Sequence, residues 1–181
     1  MSEGIILAHY FLQKGWGIDM KAIQCAAFLV SHACENNKLI SNLQLQKMLF
    51  FAQVDYMQKH DWNKLFDDEI HAWQYGPVIP YVYNAYSRYG GSPILRPELS
   101  PDDAKFDIES FKHDREQHSI DMRVSLESVY AEWVDKPAWA LVAESHEKGK
   151  AWDCVYNRDE KEASGYGDVI TDEIIKATYG R

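Results

Sequence analysis

The sequence predicts a mainly α-helical fold, a compact single domain of about six helices with a short extended or β-hairpin element at residues 69–78. Three observations carry this prediction. Apolar residues recur at helical spacing over long stretches, recognisable start and stop residues bracket those stretches, and one short aromatic run ends in Gly76-Pro77, through which a helix does not continue. A chain of 181 residues with 46% hydrophobic content is long enough for one good core and short for two.

Residues 1–19 read as an N-terminal extension, and the domain proper is assigned to 20–181. After Asp19, Ile23, Ala27, Val30 and Cys34 lie on one helical face, giving a first helix that ends near Asn36-Asn37. Ser41 followed by Gln44 has the form of a capping box, with Ile40 and Leu45 at the hydrophobic-staple positions. The helix that starts there carries Leu45, Met48, Leu49, Ala52 and Tyr56 on one stripe, which predicts a central position, and its signal fades after Lys59. Residues 61–68 read as a turn, and Glu69 to Tyr75 as an extended segment or hairpin arm.

Pro80 fits the first turn of a third helix, and Gly90-Gly91 supplies its stop. Between Ser92 and His118, Pro93, Pro97 and Pro101 break any periodicity, so this stretch reads as a variable loop with room for a short hairpin at 93–118. Met122, Leu126, Val129 and Trp133 restore a helical stripe, and Pro137 opens another helix with Trp139, Val142 and His146 on one face. These two helices are expected to form a tight hairpin. Gly149 ends the second, a polar connector runs past Trp152 through Gly165 and Gly167, and Thr171 caps a last helix with Ile174, Ile175 and Tyr179.

A formal charge of −9 disfavours phosphate backbones and anionic lipid and suits a basic protein partner. Cys25, Cys34 and Cys154 are odd in number and widely spaced, which argues against a disulfide framework or zinc site and for a reducing, cytoplasmic setting. The opening run Gly4 to Leu12 has no basic flank and is too short to span a bilayer. No cofactor or metal is expected. The seven histidines lack helical zinc spacing, and no nucleophile elbow, phosphate loop or dinucleotide fingerprint is present.

Two chemical readings stay open beside a binding protein. One is a hydrolase-like enzyme using His71 and His146 with the acidic residues Asp67, Asp68 and Glu69; the other is a DNA-associated protein of a mobile element, which requires a local basic face. Six tryptophans and eleven tyrosines exceed what one core hides with every polar tip satisfied, so part of this aromatic surface is expected outside. Val82, Tyr86 and Tyr89 share a helical face, which turns Tyr83 away from them. Tyr75, Pro77, Val78, Tyr81 and Tyr83 are therefore the expected partner-binding residues, and Trp73 and Trp152 are expected to lock the fold.

Three tracts in order, ISNLQLQKMLFFAQ at 40–53, LFDDEIHAWQYGPVIPYVY at 65–83 and SHEKGKAW at 145–152, resemble the SocA-like antitoxin family. The core of that family is the Panacea domain, and it includes phage-associated GepA proteins. The resemblance implies a mainly helical domain, without catalysis, that antagonises a cognate protein toxin by direct binding, with some members delivering the toxin to a protease. Its leucine-lysine-leucine helix falls on Leu45, Lys47 and Leu49, its aromatic-glycine-proline signature on Trp73, Gly76, Pro77 and Val78, and its late signature on His146 and Trp152. Two departures are the brief apolar N-terminus, where relatives carry an accessory or DNA-binding domain, and the 92–118 stretch, where partner specificity is expected to reside.

Overall fold

The computed structural model describes residues 20–157 and 167–180. The N-terminal extension and most of the 153–167 connector, Gly165 included, lie outside the described residues. Among those described are eight α-helices and a small three-stranded antiparallel sheet, with one hydrophobic cluster running from Met20 to Ile175.

Helix α1 (Ala22–Glu35) buries Ile23, Ala27 and Val30 as the periodicity predicts. Its first amide, at Ala22, donates to the Asp68 carboxylate at 2.7 Å, so the acidic turn after the second helix caps the first. Helix α2 (Asn42–Lys59) starts with the expected capping box: Ser41 Oγ accepts from the Gln44 amide at 3.3 Å, and Gln44 Oε1 accepts from the Ser41 amide at 3.0 Å. This helix is the axis of the fold. It packs against α1, the hairpin and four later helices, and an unbroken run from Leu45 to Phe50 is buried.

Strands β1 (His71–Trp73) and β2 (Gly76–Val78) form the expected hairpin, in register His71 to Val78 and Trp73 to Gly76. Strand β3 (Asp168–Val169) adds to the far edge of β1, giving the order β2-β1-β3. Helix α3 (Pro80–Tyr86) begins on its proline, continues as a 3₁₀ turn over Ser87–Tyr89, and stops at Gly90 with φ +55°.

The 93–118 stretch differs from expectation. Its β structure is confined to an isolated bridge between Ser41 and Pro93, and in place of a hairpin it forms helix α4 (Ile108–His113). The prolines end at position 101. Beyond them Asp107 caps α4 by accepting from the Glu109 amide at 3.0 Å, and Phe111 enters the core edge-on to Phe28 with ring centroids 5.4 Å apart.

Helix α5 (Gln117–Trp133) buries Met122, Leu126, Val129 and Trp133, and α6 (Ala138–Ser145) follows after a short connection. These two do not pair as a hairpin; both pack on α2. Trp152, expected in a connector, lies in helix α7 (Ala151–Tyr156), and α8 (Asp172–Tyr179) is capped by Thr171 as predicted.

Candidate functional site

The two strands of the hairpin are joined by a tight turn that ends on Gly76, whose φ of +97° is a conformation disfavoured by side chains. Space imposes the same residue. A Cβ at Gly76 would sit 2.6 Å from Ser145 Oγ and 2.8 Å from Lys47 Cε. Lys47 leaves α2, passes over this glycine and donates from Nζ to the Pro77 carbonyl at 2.7 Å. On the other side of the turn, Trp152 Nε1 donates to the Trp73 carbonyl at 2.8 Å.

These tethers are deep. Lys47 is 0% exposed, and burial lowers its pKa from 10.5 to about 7. Trp152 is buried and stacks on His146, with ring centroids 3.5 Å apart and planes 5° apart, and on Tyr156 at 4.5 Å. The His146 pKa is held below the ordinary imidazole value by burial and by Lys47, and its Nε2 is buried without a hydrogen-bond partner among the described residues. Ser145, also buried, donates to the Val142 carbonyl at 2.9 Å.

A groove of about 350 Å³ opens beside the hairpin, with Asn42 and Gln46 of α2 and Val78 at its lining and Trp73, Tyr75 and Tyr83 among its aromatic walls. The two amides are buried and linked: Gln46 Nε2 donates to Asn42 Oδ1 at 3.0 Å, Asn42 Nδ2 donates to the Tyr83 carbonyl at 3.1 Å, and Gln46 Oε1 accepts from the Ile79 amide at 2.9 Å. This chain fixes α3 and the end of β2 to the first turns of α2. Asn42, Gln46 and Ser145 were not singled out by the sequence reasoning, although polar residues four apart beside a core stripe are the signal of such a network.

Of the five residues expected to meet a partner, three reach the surface. Tyr75 is 52% exposed, Tyr81 48% and Tyr83 38%. Pro77 and Val78 are buried, because the hairpin lays β2 against α2 and α6; Val78 reaches the groove only as part of its lining. Tyr83 packs edge-on to Trp73 at 5.1 Å, while Tyr81 donates its hydroxyl to Asp103 at 3.3 Å and so is partly tied to the fold. Val142 is buried, whereas Trp139, expected on one helical face with Val142 and His146, is 61% exposed. At the first turn of α6 it overhangs the core and meets Tyr75 edge-on at 5.6 Å.

Of the residues of the enzyme reading, His71 and Glu69 meet, while Asp68 and His146 are engaged elsewhere. His71 shares its Nδ1 with the Gly167 carbonyl at 2.7 Å and its Nε2 with Glu69 at 3.1 Å, Asp68 caps α1, and His146 lies flat on Trp152. Cys25 is fully buried, and burial pushes its thiol pKa up. No helix of the described residues is long and apolar enough to cross a membrane.

A family model described as antitoxin SocA-like, Panacea domain, matches residues 45–153, a span that contains Lys47, the whole hairpin, His146 and Trp152. Antitoxin SocA of Caulobacter vibrioides (strain NA1000 / CB15N) is 32% identical over 169 residues, covering 91% of this chain and 84% of that relative. No solved structure is matched.

Proposed function

This chain belongs to the SocA-like antitoxin family, and on that premise we propose that it neutralises a protein toxin by binding it directly over the aromatic groove beside the β1–β2 hairpin. One observation carries this reading. Tyr75, which lines a concave site walled by Trp73 and Tyr83, meets Trp139 edge-on, and both are among the most exposed large apolar side chains of the described residues. Exposed aromatics held rigid by a scaffold are favoured interface anchors, since they bring large contact area with little conformational entropy to lose. The formal charge of −9 adds long-range attraction for a basic toxin surface.

Binding, and not catalysis, is the action this geometry supports, because its exposed groups include the rings of Tyr75 and Tyr83 and the amide of Gln74, while Lys47, Ser145 and His146 Nε2 are buried. The test is co-expression with the product of the adjacent gene. Growth should be restored by the wild-type chain and lost with the paired change Tyr75→Ala and Trp139→Ala, while the folded yield stays the same. Full protection by that double variant would place the toxin contact elsewhere. The toxin's half-life, followed with and without this chain, separates masking from delivery to a protease: a stable complex with an unchanged half-life indicates masking.

A further inference from the structure

We propose that Lys47 is a positioning residue which, together with Trp152, clamps the turn at 74–76 from both sides and holds Tyr75 in place beside the groove. The inference rests on the toxin-binding reading for its purpose but not for its geometry.

The two carbonyls that flank the turn, Trp73 O and Pro77 O, each accept from a buried side chain delivered by a different helix, at 2.8 and 2.7 Å. Between them stand Gln74 and Tyr75, both exposed, and the buried Gly76. The turn is thus pinned at its two ends and exposed at its tip. A lysine on a helix would ordinarily point its ammonium to water. Here the ammonium is fully enclosed, and among the described residues its hydrogen bond is to one neutral carbonyl.

An enclosed cation facing a single neutral acceptor is a costly anchor, since an aliphatic chain of the same length would fill the space without losing hydration. Its lowered pKa reports that cost. What methionine cannot do is donate. Gly76 and Lys47 are matched to one another: the missing Cβ opens the passage for Cε and Nζ, which would otherwise lie 2.8 and 3.0 Å from it, and the lysine then reaches the next carbonyl along the strand. The sequence position therefore trades stability for a fixed hairpin, the pattern expected where a side chain supports a binding surface.

The test compares the full chain with its Lys47→Met and Trp152→Phe variants by hydrogen–deuterium exchange and by calorimetric titration with the product of the adjacent gene. Phenylalanine keeps an aromatic face at position 152 while it removes the donor and one ring, so that variant tests the clamp even where Lys47→Met fails to fold. In both variants exchange across the segment 73–79 should quicken about tenfold with the rest of the chain unchanged, and affinity should fall about tenfold. Local exchange that stays at the wild-type rate overturns the proposal. So does faster exchange spread evenly over the chain with a lowered melting temperature, which is what a merely structural role produces. Local quickening in a protein whose wild type binds no adjacent product supports the clamp and removes the toxin reading instead.

Discussion

Replacing Lys47 by methionine should make the stability gap between variant and wild type depend on pH. The side chain is fully enclosed, and burial lowers its pKa from 10.5 to about 7. A base whose folded pKa lies below its unfolded one binds fewer protons when folded, so this group adds stability as pH rises from about 7 towards 10.5. Below about 7 the lysine is charged in both states, and the native state carries the full cost of enclosing it. That cost is about 5 kcal/mol, the fall from 10.5 to about 7 taken at about 1.4 kcal/mol per pKa unit.

Methionine removes the cost but leaves the buried Pro77 carbonyl without its donor, a loss of about 1–3 kcal/mol. The variant should then be more stable than wild type by about 2–4 kcal/mol near pH 6, with the gap closing by about 1.4 kcal/mol per unit as pH rises above 7. Urea unfolding of both proteins across this range measures it, and taking the difference cancels the titration of the shared groups other than His146, which is coupled to Lys47. A gap that does not change with pH, or a variant that is the less stable one near pH 6, would refute the reasoning.

Three further outcomes follow from the same geometry. Gly76→Ala places a Cβ 2.6 Å from Ser145 Oγ at a φ of +97°, and should cost about 3 kcal/mol of unfolding free energy; an unchanged denaturation midpoint would deny the close approach. Tyr75→Ala removes a half-exposed ring and should weaken toxin binding by ~1–2 kcal/mol with no shift in melting temperature, and calorimetry showing wild-type affinity would exclude Tyr75 as an anchor. In Lys47→Met the His146 pKa should rise, because the second cause of its depression is gone while burial remains; the imidazole NMR shifts followed against pH read this directly, and an unmoved titration would mean the two groups are not coupled.

What the sequence made legible was whatever local chemistry decides. Ser41 and Gln44 bond within one turn, so the start of α2 is written in four residues. Gly76-Pro77 excludes a helix without help from elsewhere, and the hairpin followed. Helices α4 and α7 were not legible because each is six residues long, too short to be stable alone, and is held by a ring that meets a partner distant in the chain: Phe111 on Phe28, Trp152 on the hairpin at Trp73. Periodicity put Trp139 on one face with Val142 but did not show where the core beneath that face ends, so of the two only Val142 is buried. Lys47 shows the same limit from the other side. Its place beside the apolar stripe of α2 suggests a solvated margin, and only the arrival of β2 encloses it.

The three tracts that carry the family likeness converge on one object. α2 supplies Lys47, α6 supplies Ser145 beneath Gly76, and α7 supplies Trp152, so residues about a hundred positions apart in the chain grip a turn of a few residues. They do so from inside, where no partner reaches them. On the proposed reading, the shared signature therefore describes how a tip is held and leaves open what it touches. Contact falls to Tyr75, Tyr83 and Trp139, which the buried clamp presents but does not determine. A scaffold divided in this way can change partners by substitution of its exposed rings while each buried tether stays as it is, and a change at a tether should weaken every partner alike.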